Sequence, residues 1–328
     1  MSVSVGTVVV LFAATLGLWI GARWLVDAAS DIASAAGVSP LVIGLTVVAF
    51  GTSAPEFAVS ITAALEGSGD VSVGNVVGSN VFNLGVVLGV IALLAPFRAT
   101  ETMLRRDAVA MAVATAVATG VLANRIVSRP EGLVLVSLLA GYLVALGVVA
   151  RREADDTDRM SPESGEETGF ETSAPTIRLG PEAGRLLVGL ALVIVGGRLL
   201  VDSATTLGLA VGVSEWAIGV TVVAAGTSLP ELVTSIVAAR RNAVSIAAGN
   251  VIGSNVFNLL GVLGVAATIR PLAVDPAVPA SLVWLGAITA VATVVLATGR
   301  RLTRLEGAIL LAVAAGYWLA SAVGWPSG

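Results

Sequence analysis

The sequence Gly-Thr-Ser-Ala-Pro-Glu at residues 51–56 lies inside a long apolar stretch, and Gly-Thr-Ser-Leu-Pro-Glu at residues 226–231 repeats it 175 positions later. A carboxylate in the hydrocarbon of a membrane costs roughly 2.5–3.5 kcal/mol on insertion scales. The chain carries this cost twice, at equivalent points of two halves. The pair of motifs therefore predicts a membrane transporter with an ion site near the bilayer midplane.

A second repeated motif follows each of these segments. Gly-Asn-Val-Val-Gly-Ser-Asn-Val-Phe-Asn at 74–83 recurs as Gly-Asn-Val-Ile-Gly-Ser-Asn-Val-Phe-Asn at 249–258, at the same offset. Residues 37–90 and 212–265 align without a gap, which indicates an internal duplication of the chain.

Composition places the chain among membrane proteins. It has 328 residues, of which 56% are hydrophobic and only 12% are charged. Ordinary soluble domains contain about 25% charged residues. Apolar runs of about 18 or more residues recur along the whole length and predict transmembrane helices. The first basic residue is Arg23, so no cleavable signal peptide is expected.

Missing residue types exclude several kinds of chemistry. The chain has no Cys and no His, and its 18 basic residues are all Arg. Disulfides, imidazole catalysis, His-based zinc sites and Schiff-base lysines are therefore excluded. Oxygen ligands remain, and these suit hard cations such as calcium and sodium. We expect those ions and the lipid bilayer as partners, with no cofactor, no nucleic acid and no obligate protein partner.

Apolar stretches between charges and turn signals predict an all-α integral membrane protein with ten transmembrane helices. The predicted spans are 6–30, 38–65, 71–95, 105–123, 131–150, 184–207, 213–239, 244–269, 279–299 and 305–323. An acidic segment at 151–183 separates the halves 1–150 and 184–328. Its composition predicts a solvated linker. A calcium-sensing loop is the alternative, but no EF-hand spacing is present.

The distribution of arginine predicts the orientation of the chain. With the N-terminus outside, the inner side receives most of the loop arginines, and the outer side receives only Arg125, Arg129 and Arg270. We therefore predict a multi-pass protein of the cell membrane with both termini outside and the linker in the cytoplasm. Because each half has an odd number of spans, the second half enters the membrane the opposite way up. The repeats are then inverted and bring equivalent motifs face to face.

Proline and glycine in the first motif predict that the second helix is broken in mid-membrane, and the seventh likewise. Pro55 lacks an amide hydrogen and clashes with the carbonyl of Gly51, and glycine is a weak helix former. We expect this break to free the carbonyls of Ala49, Phe50 and Thr52. Carbonyls at membrane depth must line a cavity or bind a ligand.

Glu56 and Glu231 are the leading candidates for ion ligation. Ser53 and Ser228 precede them at the capping-box spacing, so the alternative is that each glutamate only caps a restarted half-helix. A cap could use Gln at a lower desolvation cost, and two facing carboxylates repel each other unless a cation lies between them. We therefore interpret both glutamates as ion ligands.

Polar side chains in the second motif recur every four residues and so share one helical face. They are Asn75, Ser79 and Asn83 in the first half and Asn250, Ser254 and Asn258 in the second. We expect Ser79 and Asn83 of the first half, and Ser254 and Asn258 of the second, to line the site. For Asn75 and Asn250, site lining and helix-to-helix contact both remain open.

Other members of the second motif are expected to join helices rather than to face the site. Asn80 and Asn255 point to another side of the helix. The motif glycines form small-x-x-x-small pairs that let helices approach closely; they are Gly74, Gly78, Gly249 and Gly253.

One further pair of intramembrane charges is duplicated. Arg23 and Asp27 in the first span recur as Arg198 and Asp202 in the sixth, again four residues apart. This spacing predicts ion pairs within one helix, although the base-before-acid order is the weaker one. We interpret these residues as structural pairs or gate elements.

The number of available oxygens indicates the kind of ion. Two carboxylates supply up to four oxygens and two negative charges. Carbonyls of Ala49, Thr52, Ala224 and Thr227, together with Ser and Asn side chains, raise the total above six. Calcium takes about 6–8 oxygens in flexible geometry, and sodium uses similar oxygens. One cage could thus hold one divalent or several monovalent ions in turn, which is the minimum requirement for exchange.

These paired motifs resemble the two alpha repeats of the sodium/calcium exchanger family, within the cation/calcium exchanger superfamily, of prokaryotic type. The resemblance covers essentially the whole chain. It implies sodium/calcium antiport, with Glu56 and Glu231 binding calcium beside the carbonyls of Thr52 and Thr227. The sodium sites that it implies draw on Ala49, Ser53, Ser79, Ala224, Ser228 and Ser254. It also implies that the first and sixth spans slide over a fixed core.

The chain departs from the family pattern at one position. Asn258 stands where the family often has Asp, whereas its equivalent, Asn83, is commonly Asn. The site therefore carries only two formal negative charges. This departure disfavours potassium co-transport, which the family associates with an acid at that position.

Other functions compete with sodium/calcium antiport. A proton/calcium antiporter would use the same two glutamates as proton carriers. An intramembrane hydrolase could use paired acids, but no nucleophile–base pairing is visible, so we do not expect an enzyme. A channel would differ from an exchanger by lacking saturable flux that depends on a counter-ion.

Overall fold

The chain is almost entirely helical in the computed structural model, which describes residues 5–98, 100–160, 179–210, 224–274, 278–299 and 301–322. The first helices are α1 (Val5–Ala35), α2 (Pro40–Thr52), α3 (Ala54–Glu66), α4 (Gly69–Leu94), α5 (103–122) and α6 (Arg129–Met160). The later helices are α7 (Leu179–Ala210), α8 (Ala224–Gly226), α9 (Leu229–Arg240), α10 (Val244–Ile269), α11 (Val278–Gly299) and α12 (Arg304–Ala322). The all-α prediction is confirmed.

Wider π-helical turns interrupt several of these helices. They are Gly44–Val48 in α2, Asn83–Val87 in α4, Met103–Ala108 at the start of α5 and Phe257–Val262 in α10. Such turns are rare and are frequent at functional sites. The turns in α4 and α10 include Asn83 and Asn258, which are candidate site residues.

Apolar helices long enough to cross a membrane account for most of the described chain. Six meet this description alone, namely α1, α4, α6, α7, α10 and α11, and α2 with α3 forms a seventh span bent by 46°. Within the best apolar window, 78% of α4 and 83% of α10 are buried, against 17% of α6. The two helices that contain the second motif therefore form the centre of the molecule.

Helix α2 packs directly against α10, so the two halves of the chain are in close contact. A Cβ atom at Gly249 would lie 2.7 Å from the Leu41 carbonyl, and one at Gly253 would lie 2.5 Å from the Leu45 carbonyl. The predicted close approach at these two glycines is confirmed. For Gly74 and Gly78 the equivalent partners would be residues 216–220, which lie outside the described residues.

Equivalent contacts recur at the 175-residue offset beyond the aligned repeats. Four two-residue strands, absent from the sequence prediction, are β1 (Phe97–Arg98), β2 (Ile126–Val127), β3 (Leu272–Ala273) and β4 (Arg301–Leu302). Strand β1 pairs with β4, and β2 pairs with β3. Strand β3 lies 175 positions after β1, and β2 lies 175 positions before β4. The two strand pairs are therefore equivalent. The described chain thus contains contacts related by an internal two-fold exchange.

Helices α1 and α7 approach each other closely at two places. A Cβ atom at Gly21 would lie 2.7 Å from the Gly189 carbonyl, and one at Gly196 would lie 3.0 Å from the Ala14 carbonyl. Because the glycines remove side chains from the contact, the two backbones approach closely.

The predicted intrahelical pair of Arg23 and Asp27 is wrong. Asp27 instead accepts from Arg185 of α7 at 2.9 Å and from Arg241 at the end of α9. The guanidinium of Arg23 lies over the Trp19 ring, 4.6 Å from its centroid. The base-before-acid order places the two charges in a weak geometry, and stronger partners exist on neighbouring helices.

Arg198 and Asp202 likewise form no ion pair with each other in the part of the chain that the structure describes. Both line a cavity between α3 and α7 instead.

Two boundary predictions also differ from the structure. Helix α6 continues to Met160, so residues 151–160 of the predicted solvated linker are helical. Helix α7 begins at Leu179, before the predicted end of the linker, and residues 161–178 lie outside the described chain. The predicted span 213–239 is described only from Ala224 onward.

Candidate functional site

The break between α2 and α3 falls at one residue, Ser53. Its backbone angles are φ −78° and ψ 4°, and the two helices are bent by 46°. Pro55 lies in the first turn of α3, where a missing amide hydrogen costs little. The break was predicted, but its extent was overestimated. The Ser53 amide still donates to the Ala49 carbonyl at 3.1 Å, so that carbonyl is not freed from the backbone ladder.

The second break lies between α8 and α9. Thr227 and Ser228 separate the two helices, and Pro230 again stands in the first turn of the restarted helix. The Leu232 amide donates to the Ser228 carbonyl at 3.1 Å, as the Phe57 amide does to the Ser53 carbonyl. Ala224 is the first residue described after the gap at 211–223.

The serine of each motif bonds to the glutamate of the other half. Ser53 Oγ donates to Glu231 Oε1 at 3.1 Å, and Ser228 Oγ donates to Glu56 Oε1 at 2.9 Å. Neither serine caps its own helix. All four residues are fully buried. The two broken helices are therefore joined to each other through hydroxyl–carboxylate hydrogen bonds.

The capping-box interpretation of Glu56 and Glu231 is wrong, and a comparison within the chain shows why. Reciprocal capping boxes do form at Ser128–Glu131 and Thr303–Glu306, where the carboxylate accepts the cap amide at 2.7 Å in both cases. The same spacing gives no cap at the two breaks, because each serine hydroxyl is directed across to the facing carboxylate.

Asn75 and Asn250 support the broken helices from behind. Asn250 Nδ2 donates to the Glu231 carbonyl at 3.4 Å and to Ser235 Oγ at 3.0 Å, while its Oδ1 accepts from Thr52 Oγ1 at 3.0 Å. Asn75 makes the equivalent bonds to the Glu56 carbonyl, Ser60 and Thr227, at 3.2, 3.0 and 3.3 Å. Each amide thus fixes the glutamate of its own half and the threonine of the other half.

The second motif brings four more buried polar side chains to the centre of the molecule. Ser254 Oγ donates to the Ala49 carbonyl at 3.5 Å and to Glu231 Oε1 at 3.4 Å. Ser79, Asn83 and Asn258 are also buried, at 1%, 0% and 0% exposure. Asn80 and Asn255 donate to carbonyls of their own helices, as expected for residues that point away from the site.

Several buried polar atoms in this region have no hydrogen-bond partner among the described residues. They are Glu56 Oε2, Glu231 Oε2, Ser79 Oγ, and both side-chain polar atoms of Asn83 and Asn258. An unpaired buried polar group costs roughly 1–3 kcal/mol, and more if it is charged. Native proteins rarely tolerate several of these together unless an ion or water completes the set.

Two further residues of the site region, Ser60 and Ser235, were not predicted from the sequence. Each accepts a hydrogen bond from an asparagine amide that holds a motif glutamate in place. The signal was available, because the two serines stand 175 positions apart within identical offsets. A polar residue repeated at equivalent buried positions is therefore as informative here as the motif itself.

A cavity of about 620 Å³ lies between α3 and α7, beside the second break. Its lining includes Pro55, Thr227 and Pro230 from the two breaks, and also Glu66 and Asp202. The break residues Thr52, Ser53 and Ser228 are fully buried beneath it. The cavity therefore reaches the residues that directly precede Glu56 and Glu231 in sequence.

We expect Asn250→Ala to lower the free energy of unfolding by about 3 kcal/mol, because Thr52, Ser235 and the Glu231 carbonyl all lose their partner. Asn255→Ala is the matched control on the same buried helix, since its amide donates only to Val251 and its oxygen is unpaired. That change should cost at most about 1 kcal/mol. Denaturant or thermal unfolding of the purified proteins measures both, and equal losses would contradict the bracing role of Asn250.

Comparison with known proteins agrees with this geometry. The profile of the family described as "Sodium/calcium exchanger protein" matches residues 6–148 and 182–323. The chain belongs to the sodium/calcium exchanger family. CaxA of Alkalimonas amylolytica is 37% identical over 317 residues, which cover 95% of this chain and 97% of that protein. The sodium/calcium exchanger MaX1 of Methanosarcina acetivorans is 33% identical over 319 residues, covering 89% and 91%.

A solved exchanger shares the fold of this family member over nearly its full length. The sodium–calcium exchanger NCX_Mj superposes with a TM-score of 0.80 at 29% identity, covering 97% of this chain and 98% of that one. The chain is thus a cation/calcium antiporter that crosses the membrane several times, as the motifs predicted. Its family consists of transporters rather than enzymes.

Proposed function

We propose that this exchanger moves calcium against sodium through one shared site between Glu56 and Glu231. The observation that supports this most directly is the crossed pair of serine–glutamate bonds, which leaves one oxygen of each buried carboxylate without a hydrogen-bond partner among the described residues. A divalent cation would supply the missing partner and balance both charges. Two sodium ions would balance the same charges, so calcium and sodium would exclude each other.

The proposed ligands surround these two carboxylates on the broken helices and on α4 and α10. Backbone carbonyls would come from Ala49, Thr52, Ala224 and Thr227. Side-chain oxygens would come from Ser53, Ser79, Ser228, Ser254, Asn83 and Asn258. All of these residues except Thr227 and Ala224 have side chains that are described as buried, which suits ligands that must replace a hydration shell.

Cation binding would use the lone pairs of the serine hydroxyls. Ser53 and Ser228 now donate to the carboxylates, and a hydroxyl oxygen can accept a cation only through its lone pairs. As an ion enters, each hydroxyl can keep its hydrogen on one oxygen while its lone pairs face the ion. Asn75 and Asn250 would thus hold the ligands in place before an ion binds. Ion binding would then need only small local shifts of the ligands.

We further propose ten membrane spans in two inverted halves, 1–150 and 184–328, joined through 151–183. The pairing of β1 with β4, and of β2 with β3, supports this, because each pair joins turns that ten alternating crossings place on the same side. The arginine distribution supports a location in the cell membrane with both termini outside and the linker in the cytoplasm.

Sodium is the proposed coupling ion, and protons are the alternative. The names of MaX1 and NCX_Mj as sodium/calcium exchangers support sodium. In a proton-coupled carrier the same two glutamates would be protonated instead of binding sodium. Both mechanisms need calcium and the counter-ion to compete for Glu56 and Glu231, so the coupling ion must be tested directly.

Calcium flux into sealed vesicles that contain the purified protein tests the proposal. We expect rapid uptake when the vesicles are loaded with sodium and diluted into sodium-free buffer, and only background uptake when they are loaded with choline. An imposed pH gradient without sodium should not drive uptake. Uptake that follows the pH gradient and ignores sodium would replace this proposal with proton/calcium exchange.

A further inference from the structure

A cluster of ion pairs joins α1, α7 and the end of α9. Asp27 of α1 accepts from Arg185 of α7 at 2.9 Å and also pairs with Arg241, which follows the last residue of α9. These side chains are only partly exposed, at 25%, 35% and 31% respectively. The pair with Arg241 connects the tightly packed α1–α7 pair to a helix that contains a site glutamate.

The 175-residue equivalence extends to the ends of α3 and α9, so this cluster can be compared with its counterpart. Gly67 and Asn242 are equivalent, and both have left-handed backbone angles, with φ 83° and φ 61°. The next amide in each half, from Ser68 and Ala243, donates to the carbonyl five residues earlier, at 2.8 and 2.9 Å. The two helix ends therefore have the same local structure.

The counterpart of the cluster lacks both arginines that pair with Asp27, and the basic group at that end of α3, Arg270, donates to the Leu65 carbonyl. Asp202 is equivalent to Asp27, but Glu66 replaces Arg241 and Val10 replaces Arg185. Glu66 and Asp202 both line the 620 Å³ cavity, and Val10 lies with Asp202 along a smaller one. The arginines four residues before each aspartate, Arg23 and Arg198, are the same at both ends and cannot produce the difference.

The cavity side of α3 is open, whereas the equivalent side of α9 is covered. Ala58, Val59 and Thr62 are exposed in α3. Their equivalents are Val233, which is partly exposed, and Thr234 and Val237, which are 0% and 6% exposed. The end that has the ion pair is the closed end, and the end with two carboxylates is the open one.

We propose that the Asp27–Arg241 ion pair is a latch that keeps one end of the exchanger closed, and that the acidic pair Glu66 and Asp202 leaves the other end without one. This inference rests on the proposed function, because a shared site that exchanges two ions must open to one side of the membrane at a time. Closing the cavity by the equivalent movement would bring Glu66 and Asp202 together, and like charges in contact repel. The duplicated fold is therefore biased toward the conformation with the cavity open.

Single cysteines can report the two ends, because the native chain has no cysteine. Ala58→Cys and Val233→Cys place a thiol at equivalent positions of α3 and α9. In the otherwise native exchanger we expect the first thiol to react with a hydrophilic maleimide faster than the second. Adding Arg241→Glu should lower the ratio of the two rates by about tenfold, since it replaces an attraction with a repulsion.

A second variant tests the same latch from the open end, on an exposed residue whose change does not threaten folding. Glu66→Arg provides a basic partner for Asp202 and should also lower the ratio by about tenfold. Arg240→Glu and Glu66→Gln are the controls. The first makes the same charge change one residue before the latch and should leave the ratio of labelling rates unchanged. The second removes the repulsion from Asp202 without adding a basic partner, so it should lower the ratio by about two- to threefold, less than Glu66→Arg does.

An unchanged ratio in both Arg241→Glu and Glu66→Arg would overturn the latch, as would an equal effect of Arg240→Glu. The labelling experiment needs no ion gradient, so the two proposals can fail separately. If the protein shows sodium-driven calcium flux but the ratio of labelling rates does not change in these variants, the latch is wrong and the exchange proposal stands. If the ratio of labelling rates changes as expected but the protein shows no sodium-driven calcium flux, the proposed coupling to sodium is wrong and the latch stands.

Discussion

We expect the replacement of Glu56 with Gln to lower sodium-driven calcium flux by more than about a hundredfold. The substitution keeps the size of the side chain but removes one of two buried negative charges. At an effective dielectric constant of about 20, two unit charges 4 Å apart interact by about 4 kcal/mol, and calcium carries two charges. Loss of a fraction of that energy is enough for a hundredfold effect. Glu231→Gln should be equally severe, because the two glutamates make equivalent bonds.

Flux in reconstituted vesicles measures this effect, and Glu66→Gln is the matched control. It removes the same charge from the exposed end of the same helix, α3, and should retain flux within a fewfold of the native value. Native flux in both Glu56→Gln and Glu231→Gln would show that calcium binds elsewhere. Monodisperse elution of each variant in detergent excludes misfolding as the cause of a loss.

Gly253→Ala has the second large effect, and it acts through packing. A Cβ atom at this position would lie 2.5 Å from the Leu45 carbonyl and 2.7 Å from the Ala49 Cβ, so α2 and α10 must separate. Overpacking of this kind costs roughly 1–3 kcal/mol, and we expect the upper end because the contact is with backbone. Flux should fall as well, since Ser254 and the Ala49 carbonyl are moved apart.

Thermal unfolding in detergent tests the packing effect. Gly141→Ala is the control, because a Cβ atom on Gly141 of α6 meets no other atom within 4 Å. Gly253→Ala should lower the unfolding midpoint by about 5 °C or more, while Gly141→Ala should leave it unchanged or raise it slightly. Equal midpoints for the two variants would contradict the close contact of α2 with α10.

The repeated motifs predicted which residues meet, but not how they bond. The offset of 175 residues was enough to predict that Glu56 and Glu231 lie near each other in a central site. The offset could not show that Ser53 donates a hydrogen bond to Glu231, or that Ser228 donates one to Glu56, the glutamate of the opposite half. A capping box and a crossed bond have the same spacing in sequence, and only the arrangement of the facing helix selects between them.

Tertiary partners also explain the predictions that were wrong. Arg23 and Asp27 have the spacing of an intrahelical pair, but Arg185 and Arg241 approach Asp27 from other helices. The carbonyl of Ala49 was expected to be free because of Pro55. A one-residue break is sufficient when proline occupies the first turn of the next helix, so the carbonyl keeps its backbone partner.

Calcium binding to the purified exchanger, titrated in the presence of increasing sodium, tests the central claim most directly. A single shared site between Glu56 and Glu231 predicts saturable calcium binding that sodium displaces completely and that disappears in Glu56→Gln. Isothermal calorimetry in detergent, with choline in place of sodium as the control, measures both properties. Calcium binding that persists at saturating sodium, or that survives in Glu56→Gln, would contradict a shared site between the two glutamates.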